Sequence, residues 1–133
     1  LNMRMSLIAE EFAELVGAVY GPSSRGILEE AFTRAIAVDE DERDLVETAD
    51  ALADLVYVIY GMALETGIDL PGVLAEVQRS NMSKLGADGR PIHRADGKVL
   101  KGPDFFGPDV AGVLARGGRR PVRRRAGRPT PRI

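Results

Sequence analysis

The segment at residues 51–64, ALADLVYVIYGMAL, contains one charged residue, Asp54, in fourteen positions. Apolar side chains at helical spacing fall on every side of such a segment, which is the pattern of a buried helix. We therefore predict that this helix lies inside the fold, with Asp54 deep in the core or at the edge of a cleft. A buried carboxylate without a partner costs several kcal/mol, so Asp54 must be neutralised or paired.

Acidic residues also cluster on two predicted helices. On the long helix Glu47, Asp50 and Asp54 share a stripe about 60° wide at 100° per residue. On the first helix, LIAEEFAEL places three acids within about 100° of arc: Glu10, Glu11 and Glu14. The opposite side of that helix carries only small residues, which suit close packing of another backbone: Ser6, Ala9, Ala13 and Gly17. We expect the carboxylates to point inward or into a cleft.

Basic side chains are too few to neutralise these six acids. Before residue 79 the sequence has four: Arg4, Arg25, Arg34 and Arg43. A hard divalent cation such as Mg²⁺ takes oxygen ligands and can be shared between carboxylates and substrate phosphates. The alternative for the first cluster is a solvated face, but its i+4 positions hold Glu14, Leu15 and Ala18, and no lysine or arginine. Asp54 alone could also act as a cap or as a hydrogen-bond acceptor.

Composition predicts one intracellular domain with a separate tail. The 133 residues are 44% hydrophobic and 29% charged and include no cysteine, which excludes disulfides and thiolate metal sites. No signal segment or membrane span is evident, so we predict a cytoplasmic protein without a membrane partner. Residues 1–115 form an acidic domain with a net charge of −10, whereas residues 116–133 hold eight arginines and no acids. We expect this Arg/Gly/Pro-rich tail to be disordered.

The predicted fold is all-α, a bundle of four to five helices. Helices are predicted at residues 4–20, 27–38, about 39–66 and 69–84. Asp39 and Asp41 are candidate N-caps of the third helix, and Asp69 with Pro71 begins the fourth. Two Asp-Gly pairs predict a hairpin-like loop near residues 88–102, and a short turn follows near 108–115. A four-helix chain this short often completes its core with a second copy, as a dimer or tetramer.

The acidic motifs, Glu10-Glu11-Phe12-Ala13-Glu14 and Glu47-Thr48-Ala49-Asp50, resemble those of the MazG-like all-α nucleoside triphosphate pyrophosphohydrolases. This superfamily includes phosphoribosyl-ATP pyrophosphohydrolases and dimeric dUTPase-like enzymes. The segment RSNMSKLGADGRPIHRADGKVLKGPDF resembles the C-terminal signature of the phosphoribosyl-ATP pyrophosphohydrolase branch. Together the similar segments cover roughly residues 4 to 110.

The resemblance implies hydrolysis of a (deoxy)nucleoside triphosphate, dUTP or a non-standard nucleotide among the candidates, between its α and β phosphates. Its products are the monophosphate and pyrophosphate. The implied metal ligands for Mg²⁺, or Mn²⁺ as a substitute, are Glu11, Glu14, Glu47 and Asp50. Glu10 is implied to orient or deprotonate the attacking water or to hold a further metal, and Asp54 is a possible additional acid. The resemblance places Asn81 and Lys84 near the substrate. Arg94, Lys98 and Lys101 on the following loop could clamp the distal end of the triphosphate, or they could be solvated loop charges.

Other functions compete with this hypothesis. A di-iron bundle requires Glu-x-x-His pairs, which the sequence lacks; its one histidine, His93, is interpreted as incidental. The arginine tail could attract nucleic acid through phosphate contacts. An inactive or regulatory dimeric bundle is the third alternative. It takes support from two departures from the family pattern, namely a start after the segment that usually precedes the first acidic helix and a longer gap between the acidic motifs.

Overall fold

The structure is a computed structural model that describes residues 1–117. The predicted disordered tail lies outside the described residues, except that Arg116 ends the last helix and Gly117 follows it. The described chain contains five helices and one two-stranded antiparallel sheet, in this order: α1 (Asn2–Tyr20), α2 (Pro22–Ala37), α3 (Leu45–Thr66), α4 (Leu70–Met82), β1 (Ile92–His93), β2 (Val99–Leu100) and α5 (Val110–Arg116). The prediction of an all-α fold is confirmed.

The chain divides into two compact units. The first contains Leu1–Leu45 together with Ala95–Gly97, and the second contains Val46–Arg94 with the described residues from Lys98 onward. The prediction of a single domain over residues 1–115 stays a prediction. None of the described helices is long and apolar enough to cross a membrane by itself, and α3 with α4 reach that composition only when joined across a 113° bend.

In the first unit, α1 and α2 are joined by one residue, Gly21, whose φ of 106° is open to glycine and strained for other residues. Gly21 also caps α1 by donating its N–H to the Gly17 carbonyl over 2.9 Å. Pro22 follows at the first helical position, where a missing N–H costs nothing. As a result α2 starts five residues before the predicted start at residue 27. Of the GPSSRG segment, only Gly21 lies outside a helix, and the other five residues form the first turns of α2.

The small-residue side of α1 packs on α2, as the sequence predicted. Ala13 is 2% exposed, and a Cβ atom placed on Gly17 would lie 2.9 Å from the Arg25 Cβ. That distance is shorter than carbon atoms tolerate, so only glycine allows the α2 backbone to approach α1 here. Elsewhere on α1, Phe12 and Val19 are each half exposed in the described chain.

Gly17→Ala should therefore lower the free energy of unfolding by about 1–3 kcal/mol through overpacking, less the gain of up to about 1 kcal/mol in helix propensity. The matched control is Gly26→Ala in α2, where nothing lies within 4 Å of the added methyl group and a small stabilisation is expected. Urea unfolding of both variants measures the difference. Equal stability of the two variants would contradict the close α1–α2 packing.

Residues 39–44 are not helical, which corrects the predicted N-terminus of the long helix. Asp39 accepts a hydrogen bond from the Asp41 N–H at 2.9 Å and binds the Arg43 guanidinium through both carboxylate oxygens at 2.8 and 3.0 Å. These bonds hold the pKa of Asp39 below its usual range, chiefly through Arg43. Local side-chain bonds of this kind compete with the helix ladder, so α3 begins only at Leu45.

In the second unit, α3 is exposed along most of its length, and the prediction that it is buried is wrong for the single chain. Val56 is 54% and Tyr57 81% exposed, and Ala63 is its one buried residue. No helix or strand among residues 46–117 packs along α3. The composition of this helix is that of a core element, but its apolar side chains are exposed in the part of the chain that the structure describes.

The remaining elements follow the sequence closely. Asp69 caps α4 by accepting a hydrogen bond from the Gly72 N–H at 3.2 Å, as predicted. The hairpin near residues 88–102 is confirmed, with Ile92 opposite Leu100 and His93 opposite Val99. The glycines of both Asp-Gly pairs, Gly89 and Gly97, have positive φ angles of 74° and 88°. The predicted turn near 108–115 is the helix α5.

Candidate active site

We expected the three acids of the first motif to point inward or into a cleft. All three are exposed on α1 in the described chain, and of the three Glu10 lines a cleft. Arg25 of α2 forms an ion pair with one of them, Glu14. Its guanidinium lies 3.4 Å from the Glu14 carboxylate and donates from Nε to Glu29 at 2.6 Å. The pKa of Arg25 is raised, first by the Glu29 hydrogen bond and then by the charges of Glu29, Glu14 and Glu10. Arg25 is thus held mainly by Glu29 of its own helix, with a weaker contribution from the acids of the first motif.

A cleft of about 400 Å³ lies beside this cation. It is lined from α1 by Ser6, Ala9 and Glu10, and from α2 by Arg25, Glu29, Phe32, Thr33 and Ile36. The small side chains of α1 leave this space open. Glu10 therefore stands at an accessible cleft, which suits a group that must reach a water molecule.

The acids of the second motif lie on α3 in the other unit. Glu47, Asp50 and Asp54 are all exposed, so the predicted burial of Asp54 is not found in the single chain. Glu47 lies in the first turn of α3, where the helix dipole stabilises a carboxylate. Asp50 follows one turn later, so both can offer oxygens to the same side of the helix.

The donors of both motifs suit a hard divalent cation. Carboxylate oxygens are the ligands that Mg²⁺ prefers. Within residues 1–117 no three acidic or histidine side chains come together as a ready metal site. Neither motif therefore completes a ligand shell by itself.

The predicted substrate-binding residues all belong to the second unit. Asn81 and Lys84 lie at the end of α4, where the Lys84 N–H donates to the Asn81 carbonyl at 3.1 Å. Arg94 and Lys98 flank the hairpin turn, with the Arg94 N–H donating to the Lys98 carbonyl at 2.8 Å. The Lys101 Nζ atom lies 4.7 Å from the centre of the Phe105 ring.

Gly102 brings the last of these lysines to the end of α4. A Cβ atom on Gly102 would lie 2.7 Å from the Lys84 carbonyl oxygen and would also overlap that of Leu85. Only glycine permits this approach. Because Lys101 precedes Gly102, the backbone carrying Lys101 runs directly past Lys84. The structure thus brings part of the predicted basic set together.

Sequence reasoning missed a network centred on Glu76 of α4, which is 9% exposed. Its carboxylate binds the Arg79 guanidinium at 2.7 and 2.9 Å and accepts from the Asp109 N–H at 2.7 Å. Arg79 in turn lies over the Phe106 ring, 4.4 Å from its centre. The i,i+3 spacing of Glu76 and Arg79 indicates the ion pair, but no local signal indicates the contact with Asp109, 33 residues away.

Because of this network, the free energy of unfolding should depend on pH in the acidic range. The hydrogen bonds from Arg79 and from the Asp109 backbone lower the pKa of Glu76 from 4.5 to about 2. A carboxyl with a lowered folded-state pKa stabilises the fold above its unfolded pKa and loses that effect as pH falls through the folded value.

We expect the excess stability of the wild type over Glu76→Gln to be constant above pH 4.5 and to shrink towards pH 2. Urea unfolding at pH steps across this window measures it. A stability difference that does not change between these pH values would contradict the assignment of Glu76 as the titrating group.

An all-α chain with acidic motifs on two helices and a basic C-terminal loop has the features of the nucleoside triphosphate pyrophosphohydrolase class, and a solved structure supports this class. A protein from Exiguobacterium sp. 255-15, described as a candidate NTP pyrophosphohydrolase and solved at 1.78 Å, is 28% identical. The match covers 86% of this chain and 77% of that one, with a TM-score of 0.62.

The chain belongs to the phosphoribosyl-ATP pyrophosphohydrolase family, whose model matches residues 1–81. The matched part includes both acidic motifs and ends at Asn81. No curated protein shows significant similarity to the chain. Family and structural neighbour agree on the activity, and the protein is a pyrophosphohydrolase.

Proposed function

We propose that the enzyme hydrolyses a (deoxy)nucleoside triphosphate at the α–β bond with the help of Mg²⁺, with dUTP or a non-standard nucleotide as the first candidates. The observation that carries this proposal is the pair of exposed acidic motifs on α1 and α3 in a chain of this family. Exposed carboxylates on otherwise apolar helices are accessible to a metal ion and to the phosphate chain of a substrate. The proposed location is the cytoplasm, in keeping with a sequence without cysteine.

In this proposal Glu11, Glu14, Glu47 and Asp50 hold the metal, with Asp54 as a further acid. A bound Mg²⁺ supplies positive charge that neutralises the triphosphate and the charge that develops as the bond breaks. Mn²⁺ has the same preference for oxygen ligands and should substitute for it.

Glu10 acts as the general base. Its carboxylate accepts a proton from the attacking water, whose oxygen bonds to the α-phosphorus while the α–β bridging bond breaks and pyrophosphate leaves. The accessible cleft beside Glu10 supports this role, since a water must reach the carboxylate.

The basic residues of the second unit bind the phosphate chain. Lys84 and Lys101 are carried by backbones that touch at Gly102, so two positive charges are available to one ligand. Arg94 and Lys98 extend this set from the hairpin. Asn81 offers both a donor and an acceptor to a base, sugar or phosphate.

A second copy of the chain completes the fold in this proposal. Ala13, Ala63 and Val113 are the apolar residues that are buried within residues 1–117, far fewer than a stable domain of this length requires. A symmetric dimer, or a tetramer built from it, would cover the apolar surface of α3.

The test is to incubate the protein with Mg²⁺ and a panel of nucleoside triphosphates that includes dUTP, and to follow pyrophosphate and orthophosphate separately. Release of pyrophosphate with an equal amount of monophosphate is expected, and chelation of the metal should abolish it. Release of orthophosphate alone would show that a different bond is cut. No release from any nucleotide would support the inactive bundle.

A further inference from the structure

One face of α4 carries polar side chains that bind the chain segment returning from the hairpin. Glu76, Ser80 and the C-cap residue Ser83 fall within about 60° of arc at helical spacing. Each contacts the backbone of the segment at residues 101–109, which lies more than twenty positions further along the chain.

The contacts form a ladder along the helix. Ser80 donates its hydroxyl to the Phe106 carbonyl at 2.8 Å, and the Ser83 oxygen accepts from the Phe106 N–H at 3.1 Å. One turn earlier Glu76 accepts from the Asp109 N–H at 2.7 Å. Glu76 and Ser80 are buried, and bonds shielded from water hold a segment more firmly than exposed ones.

Side-chain contacts reinforce the ladder. Arg79 is fixed by its two bonds to Glu76 and lies over the face of the Phe106 ring. A cation above an aromatic ring adds attraction and restricts both groups. Phe105 and Phe106 are therefore held in place next to the end of α4.

The held segment begins with the residues that the proposed function needs. Lys101 lies over the Phe105 ring, and Gly102 lies against the carbonyls of Lys84 and Leu85. The Phe105 N–H donates back to the Gly102 carbonyl at 3.3 Å, so the turn that carries Lys101 is closed on itself. Movement of the segment away from α4 would separate Lys101 from Lys84.

We propose that Glu76, Ser80 and Ser83 form a latch that positions Lys84 and Lys101 to bind the distal phosphates of a nucleoside triphosphate. This inference rests on the proposed function and assigns positioning residues to the same site. The latch touches no substrate atom. Its effect falls on the affinity for the phosphate chain, because the chemistry at the α-phosphorus belongs to the acids of α1 and α3.

The test compares wild type with Glu76→Gln and with the milder Ser83→Ala, and uses Glu30→Gln, an exposed acid of α2, as the matched control. The substrate is the triphosphate that wild type hydrolyses fastest in the panel, and its monophosphate is used as a product inhibitor. For Glu76→Gln KM should rise roughly tenfold, the effect of weakening one hydrogen bond to a charged group. For Ser83→Ala, which loses bonds to neutral backbone groups, KM should rise about threefold, and kcat should stay within about twofold in both variants. The inhibition constant of the monophosphate should not change, because the monophosphate lacks the distal phosphates.

Hydrogen exchange supplies the second readout, with faster exchange expected at residues 101–109 in both latch variants. A fall in kcat with unchanged KM, or an equal loss of monophosphate and triphosphate affinity, overturns the positioning role. So does unchanged KM in Ser83→Ala despite faster exchange. If wild type itself neither binds nor hydrolyses any triphosphate, the proposed function fails, and the positioning role fails with it.

Discussion

Glu14→Gln and Glu47→Gln should each lower kcat for pyrophosphate release by at least about a hundredfold. Loss of an outer-shell partner of a metal ligand already costs about 10- to 100-fold, and a ligand itself contributes more. Glutamine keeps the size of the side chain and one oxygen but removes the negative charge that a hard cation requires. Steady-state rates with saturating Mg²⁺ and nucleotide measure the effect.

The control for this experiment is again Glu30→Gln, which makes the same chemical change on an exposed surface of α2. Its kcat should stay within about twofold of wild type, because a surface substitution of this kind rarely changes stability by more than about 0.5 kcal/mol. If Glu14→Gln lost activity while Glu47→Gln kept it, the two motifs would not serve one site. Circular dichroism of each variant confirms that the helices are intact.

Under the proposal that a second copy covers α3, Val56→Asp should convert the oligomer to a monomer. Val56 lies half exposed on the side of α3 that faces away from the acidic stripe, so a monomer tolerates the new carboxylate. In an interface the same carboxylate would be buried without a partner, at a cost of several kcal/mol. The dissociation constant should rise by about a thousandfold or more.

Sedimentation equilibrium measures the change in assembly. Gln78→Asp, an exposed position on α4, is the matched control and should leave the oligomer intact. Pyrophosphate release should fall in parallel with the fraction of oligomer. A wild-type protein that is monomeric at micromolar concentration would contradict the proposal that a second copy covers α3.

Helices were predicted well from the sequence where local signals decide them. The Asp69 cap and the Asp-Gly turns act within a few residues, so α4 and the hairpin could be located in advance. The start of α2 was missed because Gly21 turns the chain in one residue, which GPSSRG does not reveal. The sequence does not reveal that residues 39–44 are non-helical. Asp39 forms local hydrogen bonds there that replace the backbone bonds of a helix.

Burial was the property that the sequence predicted least well. The apolar side chains on all sides of α3 indicate that other protein segments pack against this helix. Composition does not say whether those segments belong to the same chain or to a second copy. The same reasoning applies to the acids. Their type and spacing indicate a metal, whereas their convergence depends on tertiary and quaternary contacts. Glu76 was missed because its partner Asp109 is distant in sequence.

The most direct test of the account is to count tightly bound Mn²⁺ ions by electron paramagnetic resonance in wild type, Glu14→Gln, Glu47→Gln and the double variant. If acids from α1 and α3 surround the same metal, each single variant loses the same bound ion and the double variant loses no more than either. Losses that add in the double variant, or tight binding that survives both substitutions, would contradict a shared metal site.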